Sequence, residues 1–246
     1  MSEQPILILT LRRTGGTDFT TALVKLSSFP AVEHEPFNRR RKLSAISESF
    51  AQHSDPERLR AEIDAALDQS PNIKHCVEVQ PIAITRALID VAQARGYYII
   101  VLTRRNEAKR IGSLLLAQAT GAWGPAGADR VYPRILDGTL RPAPIDLSRL
   151  ANRVHADFAA LGQTLTLLRN RGIDWDWIVF EEIYLSERSS AEQVAAIARR
   201  AGIQAMPDDP RLTVFAKSKG QNSAAIASYV PNFAEAMARL ETLCAT

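Results

Sequence analysis

The chain has 246 residues, of which 46% are hydrophobic and 23% are charged. This composition is ordinary for a globular protein, and it excludes a disordered chain, a collagen-like repeat and a coiled-coil rod. The 30 Lys and Arg residues exceed the 27 Asp and Glu residues by three, so the formal net charge is only +3. Of the basic residues 24 are Arg and 6 are Lys. That bias reflects either gene base composition or the use of Arg forks to bind anions.

Short apolar runs predict strands, spacings of three and four residues predict helices, and the two alternate along the chain. The predicted strands cover residues 5–11, 73–79, 97–102 and 177–180. The predicted helices cover residues 17–28, 54–70, 82–94, 106–120, 147–170 and 191–201, and a last helix starts at residue 232. Residues 31–54 and 207–229 are predicted to be irregular. The glycine- and proline-rich segment 121–148 is interpreted as a long ordered loop or lid.

This alternation predicts one α/β domain over residues 1–246, with three α/β/α layers around a mostly parallel central sheet. Ligands of such sheets bind beyond the carboxyl ends of the strands. The N-terminus lacks the basic region of a signal peptide, and no apolar run approaches the roughly 20 residues of a membrane helix. The sequence therefore predicts a cytoplasmic protein without a membrane span. Its two cysteines, Cys76 and Cys244, are expected to be free thiols.

The first strand is followed by Arg13, Thr14, Gly15, Gly16 and Thr17, and then by a helix. Glycines let several backbone N–H groups point at one anion, and a helix N-terminus and threonine hydroxyls add to the attraction. The structural alternative is a tight turn that carries surface arginines. The loop is neither a Walker A motif, since the chain has no Gly-Lys dipeptide, nor a G-x-G-x-x-G fingerprint.

The third strand is followed by Arg104, Arg105 and Asn106, and Ser113 lies in the helix behind them. This segment either binds a second anion or contains a helix cap at Asn106 beside two solvated arginines. A third cluster, Glu33, His34 and Glu35, precedes Pro36-Phe37-Asn38. Two carboxylates and an imidazole serve general acid–base catalysis or form a solvated turn.

Together these segments resemble the sulfotransferase family, and within it the trehalose and nodulation-factor types of bacterial carbohydrate sulfotransferase. The loop 13–17 resembles the family's 5′-phosphosulfate loop, and Arg104-Arg105-Asn106 with Ser113 resembles its 3′-phosphate segment. Glu35-Pro36-Phe37-Asn38, Phe180-Glu181-Glu182-Ile183 and Asn232-Phe233-Ala234-Glu235 resemble three further family segments. The resemblance covers about residues 5–245 and implies a P-loop-like fold of the sulfotransferase and nucleoside triphosphate hydrolase type.

The resemblance implies the donor 3′-phosphoadenosine 5′-phosphosulfate, no metal, and a hydroxyl of a carbohydrate or other small molecule as acceptor. Glu35 would be the general base, with Glu33 and His34 as alternatives. Asp18, an acid beside a sulfate site, would cap the helix or contact the acceptor. The residues assigned to the donor by this resemblance, of which Arg13 would also act in catalysis, are Arg13, Thr14, Gly15, Gly16, Thr17, Asp18, Arg105, Ser113 and Lys219.

The acceptor pocket is expected among residues 33–42 and 121–148. Trp123 and Tyr132 are either sugar-stacking faces or packing residues of the loop. No nucleic-acid partner is expected, and the oligomeric state is left open, with a homodimer as one option. The two alternative functions are a nucleotide-dependent kinase-like P-loop enzyme and a non-catalytic module that binds anions or nucleic acid.

Overall fold

The computed structural model describes residues 2–31, 34–186, 189–212 and 223–245. Its contacts divide the chain into two compact units. The first comprises Met1–Arg105 and Ala159–Lys217, and the second comprises Asn106–Phe158 and Ser218–Thr246. The prediction that the chain forms a single domain stays a prediction.

The first unit is built on a parallel sheet of four strands, as expected for an α/β fold. The strands are β1 (Ile6–Thr10), β2 (Ile73–Cys76), β3 (Tyr98–Thr103) and β4 (Asp176–Val179), in the order β2-β1-β3-β4. Ile8 of β1 faces Lys74 of β2 and Ile100 of β3 in register. Since all four strands run the same way, the loops that follow them emerge at one edge of the sheet.

The bounds of the helices lie within a few residues of most of the predicted ones. They are α1 (Gly16–Leu26), α2 (Ser44–His53), α3 (Pro56–Ala66), α4 (Ile82–Ala94), α5 (Glu107–Thr120), α6 (Gly124–Leu136), α7 (Leu150–Asn170), α8 (Phe180–Tyr184), α9 (Ser190–Arg200), α10 (Ser223–Ala227) and α11 (Phe233–Cys244), with short 3-10 turns at Leu147–Arg149 and Pro210–Leu212.

Helices cover both faces of the sheet in the first unit. Side chains of successive strand residues point to opposite faces. Leu7 and Leu9 pack in one apolar cluster with residues of α3 and α4, whereas Ile6 and Ile8 pack in another with residues of α1 and α9. The strands are therefore buried on both sides, which explains why they read as continuous apolar runs.

The prediction of a loop over residues 121–148 is wrong for its first half, because α6 occupies Gly124–Leu136. Pro125 lies at the start of this helix, where a missing N–H removes no hydrogen bond. Ala128, Val131 and Ile135 are buried along one side, and this helical spacing outweighs Pro133 within the helix.

The segment 31–54, predicted to be irregular, contains α2. Of the residues in this helix only Ile46 is buried, so the sequence lacks a strong apolar stripe and the helix was not predicted. In the second predicted irregular segment, 207–229, the structure has the 3-10 turn Pro210–Leu212 and α10. Residues 213–222 of that segment lie outside the described part of the chain.

In the second unit, α5 and α11 share an apolar cluster with the start of α7. The fully buried guanidinium of Arg110 lies beside it and donates to Asp157 at 2.6 Å and to Glu107 at 2.6 Å. A buried charge requires such partners, because an unpaired ion would lose its hydration without replacement. Among the described residues, no helix has both the length and the apolar character that a membrane crossing requires.

Candidate active site

The loop that follows β1 is anchored to the end of β2. The backbone N–H and the Nε of Arg12 both donate to one carboxylate oxygen of Glu78, at 3.0 and 2.9 Å, and the Glu78 side chain is only 1% exposed. Thr14 is buried, and its hydroxyl donates to the Leu11 carbonyl at 2.7 Å. The Thr14 hydroxyl therefore holds the loop in shape.

Two left-handed residues shape this loop. Arg13 has φ +68° and Gly15, which precedes α1, has φ +79°. Left-handed backbone is uncommon for a residue other than glycine, and it stores strain of about 1–3 kcal/mol. The N-cap residue of α1 is Gly15, which has no side chain to cap the first turn. The first N–H groups of a helix have no intrahelical partner, so this end suits an anion.

Gly15 leaves no room for a side chain. A Cβ atom there would lie less than 3.0 Å from the ring of Phe180, the first residue of α8. That ring is held in place by Tyr184, which stacks on it at a centroid distance of 4.6 Å, and by Arg104, whose guanidinium lies 4.5 Å above it. The Tyr184 hydroxyl also donates to the Gly15 carbonyl at 2.9 Å. Segments after β1, β3 and β4 thus meet in one packed group.

Lys74 connects the same loop to the predicted catalytic cluster. It lies in β2 with 7% of its side chain exposed, and its Nζ donates to Oε1 of Glu35 at 3.0 Å. A Cβ atom built on Gly16 would lie 3.4 Å from the Cδ atom of Lys74, so the lysine stem passes directly beneath the first residue of α1. Glu35 is held further by Asn38, whose amide donates to Oε2 at 2.8 Å.

These contacts keep the Glu35 carboxyl ionised. Burial alone raises its pKa, but the charge and hydrogen bond of Lys74 lower the pKa, with smaller contributions from Cys76 and Arg12, to a value below the ordinary 4.5. Burial alone lowers the pKa of Lys74, but its acidic neighbours raise that pKa above the ordinary 10.5. The two groups therefore stabilise each other as an ion pair, which is the state that a buried Lys and Glu need.

His34 lies beside this pair. Burial and the charge of Lys74 lower the pKa of its imidazole below 6.5, so the ring is neutral at pH 7. The charge of Asp18, in the first turn of α1, acts on the same ring in the opposite direction. The Nδ1 atom of His34 is buried and has no hydrogen-bond partner in the part of the chain that the structure describes.

Arg105 lies in the first unit and is largely exposed. Its backbone N–H donates to Glu181 at 2.8 Å, and its guanidinium donates to Glu182 at 3.1 Å. The predicted helix cap at Asn106 is confirmed, since the Asn106 side chain accepts from the N–H of Lys109 at 2.9 Å. Ser113 is half-buried in α5 and belongs to the second unit, so the prediction that it shares a ligand with Arg105 stays a prediction. Thr17 is exposed in the first turn of α1.

Two predicted residues, Glu33 and Lys219, lie outside the described residues. The two aromatic side chains predicted near the acceptor belong to the second unit. Trp123 is 48% exposed, whereas Tyr132 packs against the apolar cluster of α6. Sequence reasoning did not identify Lys74. The available signal was a lysine inside a short apolar strand, because lysine is rarely buried unless it is paired.

Within residues 2–31, 34–186, 189–212 and 223–245, no group of three or more His, Cys, Asp and Glu side chains is arranged to hold a metal ion. Comparison of the chain with known protein families, with curated proteins and with solved structures gives no match.

Proposed function

We propose that this protein is a sulfotransferase with a P-loop-like fold, and that it moves a sulfuryl group from 3′-phosphoadenosine 5′-phosphosulfate to a hydroxyl of a carbohydrate or other small molecule. The observation that carries the proposal is the position of Lys74, which runs beneath Gly16 of the anion loop and ion-pairs with Glu35. A buried lysine thereby joins an anion-binding loop to an ionised carboxylate.

The residues of the loop fit the phosphosulfate group of this donor. The backbone is left-handed at Arg13 and at Gly15, the N-cap residue of α1. This loop and the start of α1 offer backbone N–H groups and a positive helix end to an anion. Gly15 lies against the Phe180 ring with no space for a Cβ atom, so α8 supports the loop from that side. Arg13, Gly15, Gly16 and Thr17 would hold the 5′ end, and Thr14 would contribute its backbone N–H.

When bound, the donor supplies the electrophilic sulfur atom and a nucleotide leaving group. Glu35 takes the proton of the acceptor hydroxyl. Its Oε1 accepts a hydrogen bond from Lys74 and its Oε2 accepts one from Asn38, and each oxygen of an ionised carboxylate has more than one lone pair. Lys74 orients the carboxylate, and Arg13 neutralises negative charge that develops on the leaving group. Arg105 would bind the 3′-phosphate after exchanging its exposed contact with Glu182.

Isothermal titration calorimetry with adenosine 3′,5′-bisphosphate tests the proposal. We expect binding in the presence of EDTA, with an affinity that Mg²⁺ does not change. The Arg13→Gln variant should bind roughly 10- to 100-fold more weakly, the range for losing a hydrogen bond to a charged group. The matched control is Arg169→Gln, which removes an exposed arginine from α7.

The proposal is overturned if the bisphosphate does not bind, or if the protein binds ATP strictly as its Mg²⁺ complex, which would favour the kinase-like alternative. A second arm uses Glu35→Gln. This variant should retain the affinity for the bisphosphate, while turnover falls about 10²–10⁴-fold, the range for a lost general base. Undiminished turnover would move the base to Glu33 or His34.

A further inference from the structure

A run of positive charge follows the candidate catalytic carboxylate. We call residues 39–42, which are Arg39, Arg40, Arg41 and Lys42, the basic loop. All four side chains are exposed, and no acidic residue occurs between Pro36 and Ser47. Four cations without an intervening acid produce a local positive field, although the whole chain carries only +3.

The basic loop has a fixed backbone. The N–H of Asn38 donates to the Glu35 carbonyl, and the N–H of Arg41 donates to the Asn38 carbonyl, at 3.1 and 3.0 Å. Leu43 closes the segment by donating to the Pro36 carbonyl at 2.8 Å. Arg40 has φ +64°, a strained conformation that persists only where the surrounding contacts impose it. The backbone from which the four cationic side chains extend is therefore held in one conformation.

This arrangement places the positive charge next to the proposed base. The Asn38 side chain, one residue before the basic loop, donates to Glu35 and accepts from Gln80 at 2.9 Å. The charge of Arg41 lowers the pKa of His34, as burial and Lys74 do, while Glu35 and Asp18 act against it. The basic loop is thus tied to the proposed base through the side chain of Asn38.

We infer that the acceptor is an anion, namely a hydroxyl compound that carries a carboxylate or phosphate group bound by the basic loop while its hydroxyl lies at Glu35. This inference rests on the proposed function and names its substrate class. Arginine forks match the paired oxygens of both groups. Glu35 is already paired with Lys74, so it repels an anionic acceptor little, and the neighbouring basic loop attracts such an acceptor.

The test measures binding of three probes by ligand-observed NMR at saturating adenosine 3′,5′-bisphosphate. The probes are glucose, glucuronate and glucose 6-phosphate, and the two acids distinguish a carboxylate from a phosphate preference. We expect at least one acid to bind about tenfold or more tightly than glucose, with an advantage that decreases as salt is raised. The variant Arg39→Gln/Arg40→Gln/Arg41→Gln should lose this preference.

The matched control, Arg60→Gln/Arg86→Gln/Arg169→Gln, removes three exposed arginines from helices α3, α4 and α7 of the same unit. It should keep the preference for the acids over glucose. Thermal unfolding verifies that both variants fold. The inference is overturned if glucose binds as well as the acids, if none of the three binds, or if the preference survives in the basic-loop variant. It is also overturned if the basic-loop variant binds the bisphosphate more weakly than the wild-type protein does, since the loop would then bind the donor. A wild-type protein that does not bind the bisphosphate contradicts the proposed function instead.

Discussion

Lys74 lies in β2 with 7% of its side chain exposed, and its partner Glu35 is 22% exposed. One hydrogen bond of 3.0 Å joins the two groups, and the pKa of each moves in the direction that keeps it charged. Removing one partner of such a pair leaves the other charge poorly solvated, whereas removing both does not. Replacing either residue alone should therefore destabilise the protein more than replacing both together.

We expect Lys74→Met to lower the free energy of unfolding by about 2–4 kcal/mol, because Glu35 then loses its cation. The double variant Lys74→Met/Glu35→Gln should recover at least about 1 kcal/mol of that loss. Urea denaturation of the four proteins in the cycle measures both values. Arg58→Met is the control, because it breaks the exposed pair with Glu62 and should change stability by less than about 1 kcal/mol. Equal effects of Lys74→Met and Arg58→Met, or strict additivity in the cycle, would contradict this account.

The sequence identified most of the first unit's site residues but not their contacts. Glu35 and the loop 13–17 were predicted on the resemblance and on the residue types. That Lys74 links them depends on β1 and β2 being neighbours, with Ile8 opposite Lys74. A sequence read alone does not fix the order of parallel strands, because the connecting segments can cross to either side. The hydroxyl of Thr14 was expected to face an anion, and it donates instead to the Leu11 carbonyl.

At the scale of elements, the contact between the loop and α8 is the most restrictive packing in the candidate site. Gly15 and Gly138 have the same φ of +79°, but only Gly15 has an aromatic ring where its Cβ would be. A comparison of alanine variants at these two glycines therefore separates the strain of a left-handed backbone, which both share, from the clash with Phe180, which only Gly15 has.

We expect Gly138→Ala to destabilise the protein by about 1–2 kcal/mol, which is the strain of a left-handed alanine. Gly15→Ala should lower the free energy of unfolding by about 1–3 kcal/mol more than Gly138→Ala does, since the Phe180 ring must move away from Tyr184 and Arg104. Thermal unfolding of both variants measures the difference. In a protein that already carries Phe180→Ala, the further change Gly15→Ala should destabilise no more than Gly138→Ala destabilises the wild-type protein. Equal melting temperatures for the two single alanine variants would show that the ring yields freely.

Strands and long amphipathic helices were predicted closely, because apolar periodicity is a local property. The strand predicted at 97–102 lies at Tyr98–Thr103, and the helix predicted at 106–120 lies at Glu107–Thr120. The helices α2 and α6 were missed for physical reasons that differ. In α2 a single buried residue gives no stripe, and in α6 the glycines and prolines that normally interrupt helices lie at its start or on its exposed side.

At the scale of the whole molecule, His75 couples stability to pH. The ring is completely buried, accepts or donates a hydrogen bond with Thr85 at 2.9 Å, and packs edge-on against Phe37. Burial lowers its pKa from 6.5 to about 4, against a smaller opposing effect of Glu35. In the unfolded chain the ring binds a proton near pH 6.5, whereas the folded protein does so only near pH 4. The unfolded state therefore binds more protons in this window.

Stability should consequently fall as the pH decreases from about 6.5 to about 4, and His75 accounts for roughly 3 kcal/mol of the loss, since each pH unit is worth about 1.4 kcal/mol. His34 acts in the same direction. Urea denaturation between pH 7.5 and 5 measures the slope. The His75→Gln variant should flatten it, whatever its effect on stability at pH 7.5, and the exposed His155→Gln should not. An unchanged slope in His75→Gln would refute the assignment.

Cys76, next to His75 at the end of β2, is 2% exposed, and burial raises the pKa of its thiol well above 9.0. Cys244, at the end of α11, is only partly buried. An alkylating reagent reacts with the accessible thiolate, so it modifies Cys244 in the native protein and meets Cys76 only in molecules whose β2 has opened. The rate at which Cys76 is labelled therefore reports how often β2 opens. The slow phase of thiol labelling times the local unfolding of the strand that carries Lys74.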